Sequence, residues 1–256
     1  MRYLQFFSVL LLCGCSAINS EVDNSEISLF DNHQITYTGS TSIKNADAFE
    51  EILNKNANTV DTLVINSNGG DTFGGMRIGR LIHDNDLKVI VHHMCLSSCA
   101  NYIVTASDEV FVEKGALLGW HGGATQATYT PFGTTEPSLF DKIKNYFSGK
   151  DKNKAMDEML EKWRKDEAQF FKMVDVKQAI TILGMMPGYK EQRDAPLFSY
   201  DKATLKRLGL KVQFEGEESQ FTPDGYKIIQ IFNIPSEKLD SLLKLHYKLV
   251  HEEKNS

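Results

Sequence analysis

The sequence predicts an α/β domain with a largely parallel sheet, and three observations carry that prediction. Two runs of strand length, T-L-V-I-N at 62–66 and K-V-I-V-H at 88–92, are apolar at nearly every position, as strands buried on both faces are. Stretches of helical periodicity lie between and after them. Glycine- or serine-bearing turns follow both runs, where a strand gives way to a helix.

In chain order, residues 34–38 (Q-I-T-Y-T) alternate and read as a first strand. Residues 43–53 set apolar groups at 49, 52 and 53 among polar ones, a short amphipathic helix. Residues 62–66 end in a glycine turn, and residues 74–82 then put Ile78, Leu81 and Ile82 on one helical face. After the run at 88–92 come C-L-S-S-C and a helix of small residues through Ala106, then extended runs at 110–112 and 116–120. Residues 124–140 are too long for a simple connection. Residues 138–175 read as a charged helical region with Leu160, Trp163, Phe170, Phe171 and Val174 as its apolar face. Gly149 and Asn153 are expected to interrupt it, and its charges are expected to face solvent. A helix over 201–208 closes at Gly209, and an amphipathic helix spans 236–251.

Composition narrows the function. The chain has 256 residues, 41% hydrophobic and 24% charged, which excludes low-complexity disorder and a small disulfide scaffold. A net charge of -6 argues against a nucleic-acid partner, because phosphates demand a basic face. No long apolar run follows residue 15, so a polytopic membrane protein is excluded.

The first residues read as an address. Arg2 precedes about ten apolar residues, roughly 15 Å of helix and half a bilayer core, and then L-C-G-C. That stretch resembles a bacterial lipobox. Residues 1–14 are expected to be a lipoprotein signal peptide, with Cys15 becoming the lipidated first residue. Ser16 at the next position favours the outer membrane, with the protein facing the periplasm. Residues 15–32, rich in Ser, Asn, Asp and Glu, are expected to form a flexible tether, and residues 33–256 the folded domain.

Three segments carry chemistry. I-N-S-N-G-G at 65–70 ends a strand in paired glycines, which allow a sharp turn and a close approach of backbone N–H to a ligand. Ser97 and Ser98 lie between a strand and a helix N-terminus, where free N–H groups suit an oxyanion, although capping is the commoner use of a serine there. His121, in L-G-W-H-G-G, ends an extended run and can serve a nearby serine as general base.

Together these segments resemble the Clp protease proteolytic subunit and its ClpP/crotonase-fold relatives, including secreted ClpP-like proteins. That family carries I-N-S-P-G-G where this chain has I-N-S-N-G-G, and a serine that opens a helix leading to T-A-G, here T-A-S at 105–107. Its histidine follows at about the spacing of His121, 23 residues after Ser98. The resemblance covers roughly residues 33–123 and, more weakly, 190–212. It implies a repeated ββα superhelix with a mostly parallel sheet and extra C-terminal helices, with a helical insertion at about 124–185. It implies a serine peptidase with Ser98 as nucleophile, His121 as base, and the N–H groups of Gly70 and Cys99 as oxyanion hole. Ser97 is the competing nucleophile, since some secreted relatives carry C-x-S-x-C. Asp194 is the candidate third member, with Asp201, an asparagine or no third residue at all as the alternatives. No metal, nucleotide or other cofactor is implied, and no Walker-type loop occurs. The implied partners are a peptide or protein substrate and, by analogy, further copies of the chain. A non-catalytic peptide-binding module and a crotonase-type acyl-transfer enzyme are the alternatives.

Cys95 and Cys99 flank the two serines, and in an oxidising periplasm they are expected to form a disulfide. A zinc site is not expected, because His92 and His93 are strand neighbours that point to opposite faces.

Overall fold

The strands at 34–38, 62–67 and 88–96 and the helices at 43–55 and 72–84 form where the sequence periodicities ask for them. The computed structural model describes residues 25–56, 58–126 and 150–252. The signal segment, Cys15, the first part of the tether and most of the loop at 124–140 lie outside the described residues.

The strands are β1 (Glu26–Phe30), β2 (Gln34–Thr38), β3 (Thr62–Ser67), β4 (Lys88–Leu96), β5 (Val110–Val112), β6 (Leu117–Gly119), β7 (Leu197–Tyr200), β8 (Val212–Phe214) and β9 (Ile229–Phe232). The main sheet runs β1-β2-β3-β4-β5-β8, with β6 joined to β4 beyond β5. Every pairing in it is parallel except the β1–β2 hairpin. A separate parallel pair, β7–β9, is linked to the end of β6 by an antiparallel bridge between Trp120 and Phe198. The architecture is therefore mixed α/β with a mostly parallel sheet, as the resemblance implies.

The helices are α1 (Ile43–Lys55), α2 (Thr72–Asp84), α3 (Lys150–Met173), α4 (Lys202–Arg207) and α5 (Ser236–Glu252). Side-chain caps set where three of them start. Ser42 Oγ accepts from Asn45 N–H at 3.2 Å, Asp71 Oδ1 from Gly74 N–H at 2.7 Å, and Asp201 Oδ1 from Thr204 N–H at 2.9 Å. Phe49 and Leu53 from α1, with Met76, Ile78 and Ile82 from α2, are buried against Ile35, Leu63, Ile65, Val89 and Val91 of the sheet. Among the described residues, no helix is long and apolar enough to cross a membrane.

Four expectations are corrected. The tether ends before residue 26, because E-I-S-L-F alternates and turns Ile27 and Leu29 onto the core. Asp31 and Asn32, both with positive φ, then make the tight turn into β2. Asn153 does not interrupt α3, which is continuous from residue 150. Not every charge on α3 faces solvent, since Glu167 is fully buried. His92 and His93 do not diverge either: their rings lie 3.9 Å apart. Between the Ile65–Val91 and Ser67–Cys95 pairs, β4 carries two more residues than β3, and this bulge breaks the strict alternation of a flat strand.

Three strands bring the chemistry-bearing turns together. Ser67 pairs with Cys95, and Leu96 pairs with Gly119, so β3, β4 and β6 end side by side at one edge. The carboxyl ends of parallel strands are where α/β sheets commonly bind ligands.

Candidate active site

The turn after β4 decides which serine faces the histidine. Ser97 has φ +58, a left-handed conformation that costs a non-glycine residue about 1–2 kcal/mol. That reversal takes the chain from strand to helix in one residue. It leaves Ser97 half-buried beside the histidine loop, and the next side chain points inward. Ser97 N–H bonds Gly119 O at 3.0 Å, which ties the turn to the end of β6.

His121 Nε2 lies 2.7 Å from Ser97 Oγ. With Nε2 unprotonated, the Ser97 hydroxyl donates this hydrogen bond and is set for deprotonation. Ser98, the residue favoured by motif spacing, is placed otherwise. It is 3% exposed, and its hydroxyl donates to Gly70 O at 2.9 Å. The expected Ser98–His121 pairing is therefore not formed, because the left-handed turn at Ser97 directs the second serine beneath the glycine turn.

The glycine turn lies directly on the serine turn. A Cβ placed on Gly69 would fall 2.8 Å from both Ser97 Cβ and Ser98 N. Gly69 O accepts from Thr41 N–H at 3.0 Å, and Gly69 N–H donates to Ser67 Oγ at 3.1 Å, so the turn is held from both sides. Among the described residues, no acceptor is found for the N–H groups of Gly70, Ser98 and Cys99. Those of Ser98 and Cys99 open the π-helical turn Cys99–Ile103.

Cys95 and Cys99 form a disulfide across the turn, with Cα atoms 5.2 Å apart, and both are fully buried. The bridge joins the last part of β4 to the first helical residue, so Leu96, Ser97 and Ser98 form a loop closed at its base.

His121 is held by the chain around it. Trp120 exchanges backbone hydrogen bonds with Phe198 at 2.8 and 2.9 Å, which anchors the histidine segment on β7. The His121 pKa lies below the ordinary histidine value. Partial desolvation is the main cause although the residue is still exposed at the surface, its own backbone carbonyl opposes it, and the Arg193 guanidinium lowers the pKa further. The imidazole is thus biased toward the neutral form that a base needs.

Asp194 is not brought to His121. Its carboxylate bonds Lys227 Nζ at 2.8 and 3.0 Å at an exposed position. Its neighbour Arg193 contributes a positive charge that acts on the imidazole instead. Asp201 is spent on capping α4. Among the described residues the site is therefore a serine–histidine pair.

Several residues around the pair had no sequence signal. Asn101 Nδ2 donates to Gly122 O at 2.9 Å and so joins the serine helix to the histidine loop. Tyr102 and Glu167 make a second connection by a 2.7 Å hydrogen bond. Neither contact has a periodicity or motif, because each depends on chain segments distant in sequence.

No family model and no curated protein matches the chain. Among solved structures, it aligns with an enoyl-CoA hydratase from Mycobacterium avium subsp. paratuberculosis K-10 at 16% identity and TM-score 0.32. That alignment covers 42% of this chain and 50% of the hydratase, so the chain spans about half its length. A ClpP1 mutant from Listeria monocytogenes aligns at 17% identity and TM-score 0.33, over 57% of this chain and 78% of that one. The membrane-bound stomatin-specific protease 1510-N aligns at 14% identity and TM-score 0.37, over 79% and 95%.

Proposed function

We propose that this chain is a ClpP-like serine peptidase that uses Ser97 and His121 to hydrolyse peptide bonds through an acyl-enzyme. The observation that carries the reading is the 2.7 Å approach of His121 Nε2 to Ser97 Oγ on a left-handed strand-to-helix turn. Ser97 Oγ attacks the scissile carbonyl while His121 takes the hydroxyl proton. The carbonyl oxygen becomes an oxyanion, for which the Gly70 and Ser98 N–H groups are the donors. Ser98 replaces Cys99 in that role because the second donor follows the nucleophile. His121 then gives the proton to the leaving amine, and water releases the acyl group with His121 again as base. We further propose a lipid-anchored protein of the bacterial envelope, held at Cys15 and facing the periplasm. The buried Cys95–Cys99 disulfide supports an oxidising compartment.

The test is labelling of the folded protein with a fluorophosphonate, which reacts with activated serines. Wild type is expected to label, and His121→Ala to label about 10²-fold more slowly or worse. Folded wild type that does not label overturns the reading. That outcome favours the alternative suggested by the absence, among the described residues, of a carboxylate at His121: a peptide-binding module of the same fold.

The Arg193 charge gives a signed pH prediction. His121 acts as base only when neutral, so kcat/KM rises with pH through its pKa. Removing a nearby positive charge makes protonation easier and raises that pKa. Arg193→Met is therefore expected to move the acidic limb of the profile to higher pH, and Arg193→Lys to leave it near wild type. An unchanged limb in Arg193→Met would show that the guanidinium does not act on His121.

A further inference from the structure

Glu167 lies on α3, far from the serine and histidine turns in sequence, and is fully buried. Burial raises its pKa, partly offset by hydrogen bonds from Tyr102, Gln178 and the Ala124 amide. Burying a carboxyl group disfavours folding unless its oxygens are bonded, and an apolar residue would fill the same space at lower cost. Each of its oxygens is occupied. Oε1 accepts from Tyr102 O–H at 2.7 Å, while Oε2 accepts from Ala124 N–H at 3.0 Å and Gln178 Nε2–H at 2.7 Å. The Tyr102 oxygen in turn accepts from Trp163 Nε1–H at 2.8 Å.

The partners have a pattern. Tyr102 belongs to the π-helical turn that begins two residues after Ser97. Ala124 lies three residues after His121 in the same loop. Glu167 therefore bridges the backbone element carrying the serine to the loop carrying the histidine. The Asn101–Gly122 bond makes a direct tie between the same two segments. Gly123, between the tied residues, lies so close that a Cβ there would come 3.0 Å from Glu167 Oε1. The helix and the loop are thus clamped at 122 and 124, immediately beyond the histidine.

We propose that Glu167 is a positioning residue which, through Tyr102 and Ala124, holds the helix after Ser97 and the loop after His121 at the separation that sets the Ser97–His121 hydrogen bond. The proposal rests on the serine–histidine reading of the site. A displacement of about 1 Å at a reacting pair costs on the order of 10²-fold in rate, so a carboxyl that never touches substrate can govern the reaction.

Two variants test it. In Glu167→Gln the amide is nearly isosteric, but it cannot accept from Tyr102 on one side and from Ala124 and Gln178 on the other. In Tyr102→Phe the link to the serine helix is lost and the bond to Ala124 is kept. The readouts are the fluorophosphonate labelling rate, and the kcat and KM of unlabelled enzyme, each per folded molecule. Both variants are expected to slow labelling and kcat about 10-fold or more while KM stays within about twofold. The double variant is expected to be little worse than either single one, because both break one connection. Full wild-type labelling and kcat per folded molecule in the variants, with only melting temperature reduced, would overturn the proposal. If Glu167→Gln does not fold, Tyr102→Phe decides alone by the same criteria. Wild type that fails to label, or labelling that persists in Ser97→Ala, counts against the serine–histidine reading itself, so the two failures are distinguishable.

Discussion

Ser97→Ala is expected to abolish fluorophosphonate labelling and to lower kcat/KM by about 10⁴-fold or more, with the fold intact. Ser98→Ala is expected to keep labelling within about 10-fold of wild type. The two hydroxyls are adjacent in sequence, and their environments are opposite. Ser97 Oγ is 2.7 Å from the only imidazole at the site among the described residues, on a residue that the left-handed turn leaves half-buried. Ser98 Oγ is buried and donates to Gly70 O. Losing that bond costs about 1 kcal/mol of stability and slightly loosens the glycine turn. The proposed Ser98 contribution to the oxyanion comes from its backbone N–H, which alanine retains. Labelling kinetics together with mass mapping of the modified peptide check both variants. A labelled Ser98 in wild type, or loss of labelling only in Ser98→Ala, would reverse the assignment.

The second large effect is expected from Gly69→Ala. Gly69 has φ +88, and a Cβ there would fall 2.6 Å from Leu96 O and 2.8 Å from Ser98 N. Both are backbone atoms, so no side-chain rotation relieves the collision. The serine turn and the glycine turn must separate, which displaces the proposed oxyanion donors from the nucleophile. The variant is expected to lose about 2–4 kcal/mol of stability, and its folded fraction to label about 10²-fold more slowly. Gly115→Ala provides the comparison. Its φ is +82, but nothing lies within 4 Å of the added Cβ. It is expected to cost about 1 kcal/mol from backbone conformation alone and to leave labelling unchanged. Denaturant titration and labelling per folded molecule separate the two contributions. Equal behaviour of the two variants would remove the contact argument for Gly69.

Much of the scaffold around these residues was legible without coordinates. The apolar runs at 62–66 and 88–92 are β3 and the first half of β4, but only one face of each is fully buried: Leu63, Ile65, Val89 and Val91 pack into the core, while Val64 and Ile90 on the other face are half-buried. α1 and α2 follow their apolar stripes, and the structure adds the caps Ser42 and Asp71 that set where they start. The strands β7, β8 and β9 were not legible. Each is only three or four residues long, and each becomes a strand by pairing with a segment far away in sequence. The burial of Glu167 was hidden for a related reason. On a helix as charged as α3, nothing marks which carboxylate will meet Tyr102, Ala124 and Gln178.

What the sequence alone determined is the class of sheet and the three turns that meet at its edge, since these rest on local patterns of apolar, glycine and serine residues. Which serine faces His121 was decided only by the tertiary structure. Motif spacing counts residues along the chain and favours Ser98, but a single positive φ at Ser97 rotates the two side chains to opposite sides of the turn. Asp194 was decided in the same way, because Lys227 is its partner in space and no sequence spacing encodes that contact.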